Sequence, residues 1–258
     1  MYIYEQGPDH GTPVMFLHGA LVAGWMWFGQ VEALASYRCL IPDYPGIGHS
    51  AGEQWISCAD TADKIASIIR SRCDAGSCHI VGLSLGGIIG LHLAQRHADV
   101  VRSLIISGVP HGHIALPLRL LNKAMLALYK YPWGAYVIAQ VMAIPAGESR
   151  EAFVDTARQS KPGVWQSVSN EIYNSTLPAG LETISLPTLV VAGTRDSAPA
   201  RRAVPYLCQQ LANATGCIVP DVGHQWNAEQ PELFTEMVRQ WLASQRVADG
   251  LVRVDGDF

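Results

Sequence analysis

A single serine stands among glycines in the segment Gly82-Leu83-Ser84-Leu85-Gly86, where an apolar strand pattern gives way to a helical pattern. At so sharp a turn the apex residue takes a strained backbone conformation, and Cβ atoms two residues away on either side would collide. Gly82 and Gly86 remove those collisions. The hydroxyl of Ser84 is then displayed beside the amides of a helix N-terminus, as a nucleophile requires.

A serine hydroxyl is a weak nucleophile unless a base accepts its proton and a third group orients that base. Two downstream segments supply candidates, Asp196 in VVAGTRD and His224 in DVGHQW. Each follows an apolar strand pattern, and the order Ser84, Asp196, His224 is expected when such a triad lies on a parallel sheet. Asp221 is a second candidate acid, but its position three residues before His224 suits the closing of a turn.

Acyl transfer at a serine also needs hydrogen-bond donors for the negative oxygen that forms during attack. The segment VMFLHGALVAGW places His18 and Gly19 after the first strong strand pattern, so the backbone N–H of Ala20 is one candidate donor. The backbone N–H of Leu85, the residue after the serine, is the other. His18 itself is expected to brace this loop by hydrogen bonding.

The remaining histidines are expected to have supporting roles. His49 is expected to brace its own loop, and His92 and His97 to be structural residues of the helix after the serine. His111 and His113 are candidates for the mouth of a substrate pocket. Because no His, Cys, Asp or Glu residues have the spacing of a metal site in the sequence, no metal or other cofactor is expected.

The elements that must position these residues alternate along the chain. Short apolar runs rich in β-branched residues recur between helical patterns, which is typical of a parallel sheet covered on both faces and predicts a doubly wound α/β fold. The runs are PVMFLHG, YRCLIPDY, CHIVGLS, VRSLIISG, PTLVVAGT and GCIVPDVGH. The tail after Trp241 loses helical periodicity near Asp249 and is expected to fray.

The interval from Pro110 to Glu182 breaks this alternation. It carries helical patterns such as LPLRLLNKAMLALYK and REAFVDTARQS in place of strand patterns. Charged residues interrupt its apolar stretch, which argues against a membrane span. We therefore predict a core domain made of residues 1–109 and 184–258, with a helical cap formed by residues 110–183.

Whole-chain properties exclude several classes of partner. A chain of 258 residues suits one large α/β domain, and its formal net charge of -4 leaves no basic surplus for binding nucleic acid. The first residues lack the basic start and apolar stretch of a secretory signal, so a cytoplasmic location is expected. Cys73 and Cys78 flank a helix-to-strand turn, where a disulfide is an open alternative to free thiols.

Five segments together resemble the α/β-hydrolase superfamily, in the order of that family and over nearly the whole chain. They are FLHGALVAGWMW, IPDYPGIGHS, IVGLSLGG, VVAGTRD and VGHQWNAEQPELF. The resemblance implies an eight-stranded, mostly parallel sheet, a helical cap after the sixth strand, nucleophile Ser84, acid Asp196 and base His224. A serine at the elbow speaks against the haloalkane dehalogenase and epoxide hydrolase branches, which carry an aspartate there.

The residues and the resemblance together predict a serine hydrolase that cleaves carboxylic esters of small to medium hydrophobic acyl groups through an acyl-enzyme on Ser84. Hydrolysis of thioesters, lactones or C–C bonds by the same triad stays open, as does a slow-turnover ligand-binding receptor of this fold. The expected partner is a small hydrophobic ester, with no nucleic acid and no stable membrane insertion. The expected assembly is a monomer or a homodimer.

Apolar residues of the predicted cap are expected in part to line an acyl pocket above Ser84, while most of them pack the cap onto the core. The residues are Leu116, Leu118, Leu120, Leu121, Met125, Leu126, Leu128, Tyr129, Tyr131, Trp133 and Tyr136.

Overall fold

The computed structural model describes residues 1–112, 116–142, 144–174 and 177–254, and of Leu118 it describes the backbone alone. Within these residues eight strands form one sheet. The strands are β1 (Ile3–Gln6), β2 (Pro13–Leu17), β3 (Arg38–Pro42), β4 (Cys78–Leu83), β5 (Val101–Ser107), β6 (Thr188–Gly193), β7 (Ala214–Val219) and β8 (Val252–Arg253). The helices are α1 (Phe28–Ala33), α2 (Cys58–Arg72), α3 (Leu85–Arg96), α4 (Leu116–Tyr129), α5 (Pro132–Val141), α6 (Glu148–Gln159), α7 (Val164–Tyr173), α8 (Ala198–Gln210), α9 (Trp226–Glu229) and α10 (Pro231–Ser244).

The sheet has the spatial order β1-β3-β2-β4-β5-β6-β7-β8. Strands β2 to β7 are parallel, and β1 and β8 pair antiparallel at the two edges. This confirms the predicted eight-stranded, mostly parallel sheet. The carboxyl ends of β4, β6 and β7 therefore meet at one edge of the sheet, where sites of open α/β sheets are built.

Both faces of the sheet are covered, as the continuous apolar strands predict. Along β4, Ile80 joins the hydrophobic cluster formed with α2 and α3, whereas its neighbour Val81 joins the opposite cluster formed with α1 and α10. Both side chains are fully buried. Burial on two faces explains why the strand lacks the polar alternation of a half-exposed sheet.

The two edge strands differ from the sequence expectation. β1 is absent from the predicted runs because none of its four residues is fully buried and its apolar pattern is correspondingly weak. The tail that was expected to fray contributes β8, in which Val252 and Arg253 pair with Ile218 and Cys217. A two-residue strand has no periodicity of its own, so only pairing with β7 defines it.

Helices α4 to α7, called the helical insertion below, lie between β5 and β6 in the chain. The insertion thus follows the fifth strand, whereas the resemblance implied the sixth. Five strands, beginning with the antiparallel edge strand β1, precede the insertion, and three follow it. The eighth strand comes from the tail. None of the described helices combines the length and apolarity that a membrane span requires.

Cys73 and Cys78 lie at the turn between α2 and β4, and both thiols are free. A hydrogen bond with Cys78, together with the charges of Arg38 and Arg102, lowers the pKa of Cys73. These two cysteines are therefore in contact but form no disulfide in this structure.

Candidate active site

Ser84 lies at the apex of the turn between β4 and α3, with φ of 55° and ψ of -112°. Residues other than glycine rarely take this conformation, and it is typical of functional sites. Hydrogen bonds on both sides hold it. The N–H of Ser84 donates to the carbonyl of Ser107 at 2.8 Å, and its own carbonyl accepts from Gly87 and Ile88 at 3.0 and 3.1 Å.

The glycines on either side of Ser84 are required by close backbone approaches. A Cβ on Gly82 would overlap the carbonyl oxygen of Gly86, which confirms the collision expected within the turn. A Cβ on Gly86 would overlap the carbonyl oxygen of Leu17 instead. The second glycine therefore lets the end of β2 lie directly against the serine turn.

His224 and Asp196 are in direct contact at the carboxyl ends of β7 and β6. Nδ1 of His224 lies 3.0 and 3.1 Å from the two carboxylate oxygens of Asp196. The carboxylate is buried and also accepts the N–H of Ser197 at 2.6 Å. Because an ionised carboxylate only accepts hydrogen bonds, Nδ1 of His224 is the donor in this pair, and Nε2 is the ring nitrogen that does not contact the carboxylate.

A third strand end makes room for this pair. Gly108 follows β5 with φ of +64°, and a Cβ on it would lie 2.8 Å from Cε1 and 2.9 Å from Nδ1 of His224. The sequence patterns did not single out Gly108. Its signal, a glycine directly after a buried strand, is too common to indicate a site by itself.

Asp221, the other candidate acid, lies on an exposed turn with φ of 55°. Its N–H donates to Oγ1 of Thr194 at 2.9 Å, and its carbonyl accepts from Arg195 at 2.8 Å. In the described part of the chain no hydrogen bond joins Asp221 to His224. The structure therefore gives Asp221 the position of a turn residue.

The loop after β2, residues 18–23, is called the β2 loop below, and it runs beside the serine. A Cβ on Gly19 would lie 3.8 Å from the Cβ of Ser84. Among the hydrogen bonds described for this chain, none uses the backbone N–H of Ala20 or of Leu85. Within the described residues these two N–H groups are thus unpaired, one in the β2 loop and one directly after the serine.

His18 fixes the orientation of one peptide unit in the β2 loop. Burial lowers the pKa of His18 to about 4, so the ring is neutral at neutral pH. Nε2 accepts the N–H of Tyr44 at 3.4 Å, so Nδ1 is the donor to the carbonyl of Gly19 at 2.8 Å. That carbonyl shares its planar peptide with the N–H of Ala20. The bracing role predicted for His18 is confirmed.

Other predicted histidine roles can now be compared with their positions. His49 is bonded to the buried carboxylate of Asp43 through its N–H at 2.8 Å and its ring at 3.1 Å, which confirms its bracing role. His97 directly follows α3, and its Nε2 lies 2.7 Å from Oδ1 of Asp63, a contact that suits a structural residue. His111 stacks on Tyr206 with ring centroids 3.6 Å apart, and His113 lies outside the described residues.

A cleft of about 330 Å³ opens beside His224. It is called the His224 cleft below, and its lining residues are Met142, Pro145, His224, Gln225, Ala228 and Glu229. A second cleft of about 500 Å³ shares Pro145, Gln225 and Ala228 with it and extends to Ile144 and Met26. The two clefts are therefore contiguous, and the loop between α5 and α6 lines both.

The residues expected to line the acyl pocket occupy other positions. Seven of them are exposed: Leu116, Leu120, Leu121, Leu128, Tyr131, Trp133 and Tyr136. None of these seven lines the His224 cleft. Met125 and Leu126 are half-buried against the core, and the side chain of Leu118 is outside the described atoms. An apolar helical pattern does not specify which neighbour each face meets, so the role of these residues above Ser84 stays a prediction.

The comparisons with known proteins identify the family. The chain belongs to the alpha/beta hydrolase family, whose model matches residues 14–237. A pimeloyl-[acyl-carrier protein] methyl ester esterase of Aeromonas hydrophila is 28% identical, over 93% of this chain and 97% of the relative. A putative carbamate hydrolase RutD of Pantoea ananatis is 26% identical, over 93% and 91%.

A solved structure shares the fold. A thermophilic esterase from Thermogutta terrifontis matches with a TM-score of 0.71 and 23% identity, over 95% of this chain and 93% of that one. At this level of identity the likeness concerns the fold alone. Together with the family match, it identifies the class of protein as a member of a hydrolase family with esterases among its relatives.

Proposed function

We propose that this protein is a serine hydrolase that cleaves carboxylic esters of small to medium hydrophobic acyl groups. In this proposal Ser84 is the nucleophile, His224 the general base and Asp196 the acid that orients it. The observation that carries the proposal is the Asp196–His224 pair at the same sheet edge as a strained serine turn. The esterase among the relatives supports an ester as the substrate.

The proposed reaction uses Nε2 of His224 and the two unpaired backbone N–H groups. Nε2 of His224 accepts the proton of Ser84 as Oγ attacks the ester carbonyl carbon. The N–H groups of Ala20 and Leu85 donate to the oxygen that becomes negative. The C–O bond then breaks, the alcohol leaves with the proton from His224, and a water molecule hydrolyses the acyl-enzyme by the same steps.

Asp196 has two tasks in this scheme. Its contact with Nδ1 keeps Nε2 of His224 unprotonated and directed away from the carboxylate, and its negative charge stabilises the imidazolium that forms during attack. The carboxylate also accepts the N–H of Ser197, which holds it in place beside the ring. The proposal therefore needs no further acid.

The contiguous clefts support a hydrophobic acyl group of limited size. Met142, Ile144 and Pro145 supply apolar surface there, and all three belong to the segment between α5 and α6. We propose that residues 110–183 act as a cap in this way, over a core of residues 1–109 and 184–258. A receptor that binds without turnover would not need the two unpaired N–H groups beside the serine.

The test of the proposed function is the loss of turnover on deletion of one hydroxyl. Wild-type protein should release p-nitrophenol from p-nitrophenyl butyrate in a burst followed by a steady rate, and a fluorophosphonate should label Ser84. Ser84→Ala should lose roughly 10⁴- to 10⁶-fold in kcat. Circular dichroism checks that the variant is folded, and a folded variant with near-native turnover would contradict the assignment.

A further inference from the structure

Tyr129 joins the helical insertion to the β2 loop. It is the last residue of α4 and is almost fully buried. Its hydroxyl donates to the carbonyl oxygen of Leu21 at 2.7 Å. Leu21 follows Ala20 in the chain, so this hydrogen bond connects the insertion to the segment that carries one of the two unpaired N–H groups.

The ring of Tyr129 is held from two other helices of the insertion. Phe153 of α6 and Trp165 of α7 meet it edge to face, with centroids 5.3 and 6.0 Å away and interplanar angles of 80° and 88°. Burial raises the pKa of the Tyr129 hydroxyl well above its ordinary value, so the hydroxyl stays a donor. The position of that donor is therefore set by the packing of α4 against α6 and α7.

The acceptor of this bond lies on strained backbone. Leu21 has φ of 65°, a left-handed conformation that a leucine does not adopt without support. Two neighbouring carbonyls of the β2 loop accept hydrogen bonds from side chains outside the insertion. The hydroxyl of Tyr44 donates to the carbonyl of His18 at 3.0 Å, and Nδ1 of His18 donates to the carbonyl of Gly19 at 2.8 Å. Tyr129 supplies the corresponding support at Leu21.

We propose that Tyr129 is a positioning residue of the active site. By holding the carbonyl of Leu21, its hydroxyl keeps the β2 loop in the conformation that presents the N–H of Ala20 to the reacting oxygen. The donor site is then complete only when α4 is seated on the core. This inference rests on the proposed function, because it assigns Tyr129 to the stabilisation of the negative oxygen.

A purely structural role would be to fasten the insertion to the core, and Thr156 provides the comparison. Oγ1 of Thr156, a buried residue of α6, accepts the Nε1–H of Trp25 at 2.9 Å. This bond also joins the insertion to the core, but its core partner lies beyond the β2 loop. Thr156→Val and Tyr129→Phe each remove one buried hydroxyl from the insertion with little change of shape.

The experiment compares these two variants by steady-state kinetics with p-nitrophenyl butyrate and by hydrogen exchange of the peptide spanning residues 18–24. Tyr129→Phe should lower kcat roughly 3- to 10-fold, the effect of one hydrogen bond, and leave KM within about twofold. Its peptide should exchange faster than in the wild type. Thr156→Val should change neither kcat nor the exchange of this peptide.

Each other outcome overturns the inference. Equal losses of kcat in both variants would show that Tyr129 only fastens the insertion, and unchanged kcat or unchanged exchange in Tyr129→Phe would show that the β2 loop does not depend on it. If wild-type protein has no ester turnover, the proposed function fails separately. The exchange experiment then still decides whether Tyr129 holds the loop.

Discussion

Two histidines, His18 and His224, have different roles because their surroundings differ. His18 is fully buried, and burial lowers its pKa to about 4, so it serves as a neutral hydrogen-bonding brace. His224 is partly exposed and has the carboxylate of Asp196 on Nδ1, which fixes the orientation of its ring. The same side chain is thus a structural element in one place and the proposed base in the other.

The choice between the two candidate acids gives a prediction at the level of one residue. Asp196→Asn should lower kcat by about 10⁴-fold, because the amide can no longer orient the ring and stabilise its charge. Asp221→Asn should leave kcat within about twofold, because this side chain lies on an exposed turn. Steady-state kinetics on both variants, with folding checked by circular dichroism, measures the difference. A greater loss from Asp221→Asn would make Asp221 the acid.

Buried neutral histidines also predict a stability that depends on pH. Burial lowers the pKa of His18 and of His79 from 6.5 to about 4. In the unfolded chain both rings bind a proton below about pH 6.5, whereas in the folded protein they do so only near pH 4. Unfolding therefore takes up protons in this window, and the free energy of unfolding falls as pH falls from 6.5 to 4.

Urea unfolding at several pH values measures this loss, which is about 2 to 3 kcal/mol for the fully buried His18. His79→Gln should make the dependence shallower, because one of the two rings no longer titrates. His10→Gln is the matched control, since His10 is exposed and should leave the dependence unchanged. A free energy of unfolding that is constant between pH 6.5 and 4.5 would contradict the argument.

At the scale of elements, the serine is positioned by the junction of β2, β4 and α3. Gly86, the second residue of α3, lies directly against the carbonyl of Leu17, so the end of β2 and the start of α3 are as close as backbone atoms allow. This contact brings the β2 loop beside Ser84. The proposed oxyanion donors of two separate segments are neighbours for that reason.

Gly86→Ala tests this junction. Its added Cβ would overlap backbone of Leu17, which cannot move as a flexible side chain can, so we expect a loss of at least about 3 kcal/mol in the free energy of unfolding, or failure to fold. Gly29→Ala in α1 is the control, because a Cβ there meets no atom within 4 Å. That variant should be unchanged or more stable by up to about 1 kcal/mol. Equal unfolding midpoints for both variants would contradict the close contact.

At the scale of the whole molecule, the proposed acyl site depends on the position of the helical insertion. None of the exposed apolar residues of α4 and α5 lines the His224 cleft, which is lined instead by the segment between α5 and α6. The acyl group is therefore expected to meet Met142 and Pro145. In an apolar pocket of limited length, burial of each added methylene should stabilise the bound acyl group by up to about 0.8 kcal/mol until the pocket is full.

A series of p-nitrophenyl esters tests this assignment. The value of kcat/KM should rise from acetate to about butyrate or hexanoate and then fall as the chain outgrows the cleft. Met142→Ala should weaken the preference for the longer chains, whereas Leu121→Gln, a change at an exposed position of α4, should leave it intact. A shift caused by Leu121→Gln alone would place the acyl group against α4 instead.

The sequence by itself determined the parts of this protein that depend on short-range constraints. Continuous apolar runs between helical patterns predict the parallel sheet because a strand covered on both faces admits few polar residues. The glycine spacing around Ser84 predicts the strained turn because the Gly82 collision involves atoms only four residues apart. Such constraints act between residues that are close in the sequence, so the sequence pattern alone reveals them without tertiary information.

Only the tertiary structure decided which distant residues meet. Tyr129 reaches Leu21 across 108 positions of the chain, and an aromatic residue in an apolar helix carries no signal of such a partner. The apolar pattern of α4 likewise did not specify whether its leucines face the site or the solvent. The direction of a helix face and the partner of a buried hydroxyl depend on how whole elements pack, and local patterns do not encode that packing.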